Sequence, residues 1–374
     1  MYKPSPLLAP VLYIPGMIYQ AGVYLRNRAF DGGFIPARSL SRPTVSVGNL
    51  TLGGTGKTPF VIYLAGLLRE IGCETAVLTR GYGRGESWKT VILNPEEEAG
   101  FCAFRLGDEP TLIRRYLPES WLGVSADRFL AANDISRRIE SAKHGKPLVF
   151  ILDDGFQCRG IRRDLDIVMV DPAQPPDTAR LFPMGSLREP AAELRRARVV
   201  VINGSGLSGT DGNGNADFDT ITENLRKHAP EADFFHCVQR INKIIPFSAW
   251  LNFNQSPQLL AQPKTVFLAA AIGNPDRFRD DIKGIGVEIQ GCAFFMDHAV
   301  IDKKNMEMCV KAARKANAEA IIITEKDAVK ISSPPNFPLL VAVQKTELHD
   351  TGRFLEILQM CINKLYGESR AART

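Results

Sequence analysis

The chain has no C-x-x-C spacing, and its seven cysteines, at 73, 102, 158, 237, 292, 309 and 361, are scattered and odd in number. That excludes a disulfide framework and a structural zinc site built on paired cysteines, and it fits a reducing cytoplasm. A large excess of one charge is missing too: 46 basic residues stand against 41 acidic ones, leaving +5. So mild a surplus, without a clustered basic face, gives no reason to expect nucleic acid as a partner, whereas an anionic partner suits it. The composition is not that of a disordered chain: 45% apolar content in 374 residues suffices for one large core or two moderate ones. Two domains are expected. There is no internal repeat.

Charge is also absent between Lys3 and Arg26. Residues 4–25 include Leu7, Leu8, Val11, Leu12, Ile14, Met17, Ile18, Val23 and Leu25, a stretch long enough to span a bilayer. Prolines at 6, 10 and 15 break it, and Gly16, Gln20 and Gly22 dilute it. A segment lying in the membrane interface is therefore expected ahead of a straight spanning helix, and a helix packed on its own domain is the alternative. Tyr13, Tyr19 and Tyr24, followed by Arg26 and Arg28, supply the rings and cations that sit at headgroup level. A cleaved signal peptide is the weakest reading, since the basic region is one lysine and no small-residue cleavage site stands out.

What is present is an alternation. Short apolar runs at 44–47, 75–78, 148–152, 167–170 and 199–202 read as buried strands separated by helices, the pattern of a mostly parallel sheet covered on both faces. Between the first two, Phe60, Leu64, Leu67, Leu68 and Ile71 mark one helical face, with Pro59 near its start and Gly72 at its stop. A tract of Gly, Ser and Asn at 204–217 can form no packed element. Beyond about residue 230 a second α/β region follows, with strands at 266–270 and 320–323 flanking a helical run at 303–317.

Between the first strand and its helix lies VGNLTLGGTGKT, residues 47–58, where a phosphate-binding loop belongs. Gly53, Gly54, Thr55 and Gly56 would turn successive backbone N–H groups towards phosphate oxygens. Lys57 would bridge the β and γ phosphates, and the Thr58 hydroxyl would ligate Mg2+. The usual spacing asks for glycine where this chain has Thr51, but that affects only the mouth of the loop, where Gly48 or the Gly53-Gly54 pair can supply the turn. Leu52 stands where ATP-driven partitioning switches carry lysine, which argues against a dimerising switch. No N-K-x-D guanine-reading tetrapeptide occurs, so ATP is preferred over GTP.

Further motifs carry polar chemistry. LVFILDDGFQ (148–157) puts Asp153 and Asp154 at the end of a buried strand, where a phosphate-loop protein holds the aspartate of its magnesium shell; a strand-end turn or cap is the plain alternative. In G-D-E-P (107–110), Asp108 or Glu109 could accept a hydroxyl proton while the other touches magnesium or water. Taken alone, that motif reads first as an acidic cap of a helix over 111–117. Arg80 and Tyr82, in R-G-Y-G-R, suit a sugar-like or phosphorylated group and serve equally as a solvated loop. Arg128 and Arg188 could neutralise charge on a transferred phosphoryl group. His298, beside Asp297, taken alone is a structural hydrogen-bonder.

In this order, V-G-N-x-x-x-G-G-T-G-K-T-P, R-G-Y-G-R, G-D-E-P, D-D-G-F-Q, L-R-E-P, the Asp297-His298 pair and T-E-K-D-A-V-K resemble the tetraacyldisaccharide 4′-kinase family over about residues 5–335. The resemblance implies transfer of the γ-phosphoryl group of ATP to the 4′-hydroxyl of a tetraacylated glucosamine disaccharide 1-phosphate, in lipid A biosynthesis. ATP and Mg2+ are the implied cofactors. The implied partners are the acylated disaccharide lipid and the surface of the inner membrane, at its cytoplasmic face, with no nucleic acid and no obligate protein partner. The implied fold is α/β: a phosphate-loop NTPase-like, mostly parallel sheet with helices on both faces, plus a smaller second α/β domain. Its expected division is an interfacial segment over 1–30, a kinase domain over 31–228 and a C-terminal domain over 229–374.

Residue by residue, the resemblance makes Lys57 and Thr58 ligands of nucleotide and magnesium, and Asp108 the base on the 4′-hydroxyl with His298 supporting it. Glu109, Asp153 and Asp154 would organise magnesium. Arg188 and Arg128 would stabilise phosphoryl charge or substrate, and Arg80 and Tyr82 would hold the disaccharide headgroup. The family's own loop also lacks the first glycine. Where the family carries a proline before the Asp-His pair and a histidine or aromatic after it, this chain has Met296 and Ala299. The rival reading is a membrane-associated phosphate-loop NTPase acting as a switch or chaperone without a lipid acceptor.

Overall fold

The computed structural model describes residues 9–371 apart from 86–87, 96, 98–102, 143–145, 205–217, 253–262, 298 and 332. The start of the uncharged run, nearly all of the Gly/Ser/Asn tract and His298 thus lie outside the described residues. Helix α1 (Ala9–Asp31) runs through Pro15 rather than breaking there. An interior proline costs a helix on the order of 3 kcal/mol, and side-chain anchors to the body offset that. Tyr19 donates to the Arg188 carbonyl at 2.9 Å, Arg26 pairs with buried Glu189, and Asp31 holds Arg159 at 2.5 Å and Arg195 at 2.7 Å.

The first α/β region comprises β1 (Thr44–Gly48), α2 (Lys57–Glu70), β2 (Glu74–Thr79), β3 (Val91–Leu93), α3 (Ala103–Leu106), α4 (Asp108–Tyr116), β4 (Trp121–Val124), α5 (Arg128–Ala142), β5 (Leu148–Asp153), β6 (Leu165–Val170), β7 (Val199–Asn203) and α6 (Phe218–Arg226). β8 (Asp233–Pro246) leads to α7 (Phe247–Leu251), β9 (Thr265–Ala270), α8 (Pro275–Gly284), β10 (Glu288–Phe294), α9 (Lys303–Lys315), β11 (Ala320–Thr324), α10 (Glu325–Ala328), β12 (Leu339–Leu348) and α11 (Thr351–Ala371). Every expected strand is present. β1, β5, β6 and β7 are buried along their whole length, as apolar runs covered on both faces must be.

Among the described residues the strands form one sheet in the order β10-β9-β11-β12-β8-β7-β6-β1-β5-β2-β4-β3, parallel except where β12 meets β8 and β3 meets β4. The expected α/β fold class is therefore observed. β8 is the seam. Its first residues pair parallel with β7, from Val199↔Asp233 to Asn203↔Cys237, and the rest pairs antiparallel with β12 as far as Leu340↔Pro246. The two α/β regions thus share one hydrogen-bonded sheet. Because the chain leaves β1 towards the β5–β2 side and later crosses back to β6, the carboxyl ends of β1 and β5 border a crevice of the kind at which doubly wound sheets bind ligands.

The helical face expected at 60–71 is the buried one. Phe60, Leu64, Leu67 and Leu68 pack with Val47 and Ile151, and with Phe354 and Leu358 from the far end of the chain. Each such side chain contributes about 2 kcal/mol by leaving water, which seats α2 and thereby the loop at its amino end. A separate cluster, including Phe247, Trp250, Phe267, Met306, Ile321 and Val341, supports the second region.

Candidate active site

The loop between β1 and α2 owes its shape to three local devices. Gly53 and Gly56 have φ of +109° and +81°, values that favour glycine. Around Gly53 and Gly54 an added Cβ would meet only open space, the room that a phosphate needs. At residue 51 the turn expected from glycine is replaced by pairing: Thr51 bridges to Leu187, and the Leu52 amide donates to the Ser186 carbonyl at 2.6 Å. That pairing is why threonine suffices at the mouth of the loop. Asn49, fully buried, spans the loop from inside, donating to the Thr51 carbonyl at 2.7 Å and accepting from Lys57 Nζ at 3.1 Å.

Lys57 also lies 3.4 Å from Asp154 Oδ1. Arg188 Nη1 donates to both carboxylate oxygens of Asp154, at 2.9 and 2.7 Å. Burial pushes the Asp154 carboxyl up, but Lys57 and Arg188 outweigh it and hold the group at about 2. Asp153, which ends β5, accepts from Thr79 Oγ1 at 3.0 Å and is pushed the other way, up to about 7, by burial first and then by Glu109 and Asp154. Arg128 Nη1 caps the pair from α5, donating to the carbonyls of Asp153 at 2.8 Å and Asp154 at 3.2 Å.

α4 begins at Asp108, three residues ahead of the expected start, so both acids of G-D-E-P sit in its first turn where the helix dipole favours them. Glu109 faces the crevice and meets Lys326 at 3.2 Å; Lys326 is also 3.6 Å from Asp297. Burial pushes the Lys326 ammonium down, and Glu109, Asp297 and Asp108 more than reverse that. Asp108 itself is buried, and its Oδ1 accepts from the Glu109 amide at 3.1 Å; it is not among the residues lining the cleft. At the rim, the exposed Arg80 donates to the Tyr82 hydroxyl at 3.1 Å.

One cleft of about 1060 Å³ gathers these parts. Its walls include residues 53–58, Arg80, Tyr82, Glu109, Arg128, Asp153, Asp154 and Arg188 from the first region, and Asn274, Arg277, Asp297 and Lys326 from the second. Of the expected site residues, only Asp108 stands behind the wall and only His298 is outside the described residues. Lys326, Asn203 and Gln239 were not singled out from sequence, and Tyr19 and Arg26 of α1, expected at the lipid headgroups, instead border this cleft and bond to the Arg188 carbonyl and to Glu189. Lys326 was legible as part of T-E-K-D-A-V-K; Asn203 and Gln239 carried only the weaker signal of a polar residue set against a buried strand run.

A family model described as Tetraacyldisaccharide-1-P 4′-kinase matches residues 8–363. The chain belongs to that family. Relatives named tetraacyldisaccharide 4′-kinase, from Syntrophus aciditrophicus and Geobacter sulfurreducens, are 33% and 34% identical over 325 and 328 residues, covering 87% of this chain and 84% and 85% of theirs. The crystal structure of LpxK from Aquifex aeolicus in complex with ATP is similar with a TM-score of 0.72 and 25% identity, over 95% of this chain and 99% of that one.

Proposed function

We propose that this chain transfers the γ-phosphoryl group of ATP to the 4′-hydroxyl of a tetraacyldisaccharide 1-phosphate. The observation that carries the reading is the convergence, in one cleft of a chain matched almost end to end by this family, of the glycine loop, Lys57, the Asp153-Asp154 pair and Glu109. The loop amides and Lys57 would hold the terminal phosphates. Arg188 and Arg128 would steady the charge that develops on the transferred group. Asp108 would take the hydroxyl proton, with His298 supporting it, while Arg80 and Tyr82 at the rim would hold the sugar.

The residues fit Mg2+. Among the described residues no three His, Cys, Asp or Glu side chains form a ready-made cage, but Mg2+ characteristically takes one or two carboxylates and keeps phosphate oxygens and waters. The Thr58 hydroxyl with Glu109, Asp153 and Asp154 meets that need, and a cation would offset the burial that raises Asp153. The ion supplies neutralisation of phosphate charge.

α1 supports a place at the membrane surface. Gly16, Val23 and Asn27 are buried against the body, while Val11, Ile14, Ile18 and Leu25, spaced along one face, are each about two-thirds exposed. Among the described residues no helix is long and apolar enough to cross a membrane, so the segment over 1–30 would lie in the interface at the cytoplasmic face of the inner membrane. The parts over 31–228 and 229–374 would act as two domains around the cleft, closing to exclude water as a competing acceptor. Nucleic acid and an obligate protein partner have no place in this scheme.

The test is to incubate the protein with Mg-ATP and an acylated disaccharide 1-phosphate and to look for one added phosphate on the lipid by mass spectrometry. The Lys57→Ala protein should add none. ATP hydrolysis with no phosphorylated lipid would instead favour a switch or chaperone.

A further inference from the structure

The Thr55-Gly56 turn of the phosphate loop rests on two buried amide side chains that belong to none of the motifs, one of which, Gln239, also borders the cleft. Asn203 ends β7 and Gln239 lies in β8, and they are 1% and 2% exposed. Asn203 Nδ2 donates to the Thr55 carbonyl at 3.1 Å and to Gln239 Oε1 at 2.9 Å; Gln239 Nε2 donates to the Gly56 carbonyl at 2.7 Å. The amides therefore form one hydrogen-bonded unit that grips consecutive carbonyls of the loop. In a trans peptide the carbonyl and the following N–H point opposite ways. Holding the carbonyls of Thr55 and Gly56 outward thus turns the N–H groups of Gly56 and Lys57 to the other side, where a phosphate is met.

Gly56 is shaped to this grip as well as to its own φ. A Cβ there would stand 2.0 Å from Gln239 Oε1 and 2.4 Å from Asn203 Nδ2. Gln239 also sits where β8 changes partner: Cys237 is its last residue opposite β7, and Gln239 itself stands opposite Thr346 of β12. Ile241 on β8, and Gln344 and Thr346 on β12, line the far wall of the cleft. The loop is thereby bolted to the same strand pair that carries the opposite wall.

We propose that Asn203 and Gln239 are positioning residues for phosphoryl transfer, which orient the Gly56 and Lys57 amides and tie that orientation to the β8–β12 seam. The proposal rests on the loop being the ATP-phosphate site, so the experiment tests both separately. Gln239→Met and Asn203→Leu keep volume and neutrality while removing the donors. Each should raise the Kd for ATP and the KM for ATP about tenfold, the loss expected when roughly one hydrogen bond's worth of preorganisation goes, with the KM for lipid unchanged. The double variant should lose little more than either single one, because the amides act as a unit.

A merely structural role would lower the thermal midpoint and leave the KM for ATP near wild type, and that result overturns the proposal. So does strict additivity of the two substitutions. Lys57→Ala is the control for the site: if it too leaves ATP affinity unchanged, the premise fails along with the proposal. Should Gln239→Met not fold, Gln239→Glu, which keeps the shape and places an acceptor against the Gly56 carbonyl, has the same expected and overturning outcomes.

Discussion

Asp153 and Asp154 are adjacent in sequence and opposite in character. Asp154 has Lys57 and Arg188 beside it and stays ionised, whereas Asp153 is buried beside Glu109 and Asp154 and is pushed up to about 7. A carboxyl raised in the folded state contributes stability that is present below its ordinary value near 3.8 and is lost as pH rises through about 7. In the metal-free protein, Asp153→Asn should therefore flatten the fall in melting temperature between about pH 4 and pH 7; equal slopes for variant and wild type would locate the proton elsewhere. Asp108 is a different case, one step behind the cleft wall and bonded to the next amide. If it moves to face the acceptor hydroxyl during turnover, Asp108→Asn should cost on the order of 10²-fold or more in kcat while ATP binding survives. A near-normal rate would remove it as the base.

At the scale of elements, α1 shows how a helix with an interior proline is kept. One face is anchored by Tyr19, Arg26 and Asp31, and the other offers Val11, Ile14, Ile18 and Leu25 to the surroundings. Because Ile14 and Ile18 are about two-thirds exposed, replacing them together by Asp should change the thermal midpoint little. Co-sedimentation with anionic lipid vesicles should fall by more than about tenfold, since each buried aliphatic side chain is worth roughly 2 kcal/mol. Unchanged co-sedimentation would place membrane contact on another surface. The break expected at Pro15 did not materialise because contacts distant in sequence hold the helix to the body. Asp31, Arg159 and Arg195, which close the helix end onto the body, are 128 and 164 residues apart in sequence. Conversely, α2 and the strands β1, β5, β6 and β7 were legible because their apolar spacing or runs are complete within short windows.

For the whole molecule, the motif residues were written in the sequence and their meeting place was not. The order of chemistry-bearing stretches identifies the family, and the alternation of apolar runs identifies an α/β sheet, because both depend on side chains a few positions apart that obey the periods of strand and helix. That a single sheet runs through both regions was decided by β8, whose alternating pattern serves one partner in its first residues and another in the rest. The pairing of Lys326 with Glu109 across 217 residues, and of Asn203 with Thr55 across 148, followed only from that strand order. The amino-acid sequence by itself determined which groups could hold phosphate, magnesium and membrane. The tertiary structure alone decided which carboxylate is ionised, which lysine spans the cleft and which amides hold the loop, since burial and long-range neighbours arise only when all the apolar faces find their partners together.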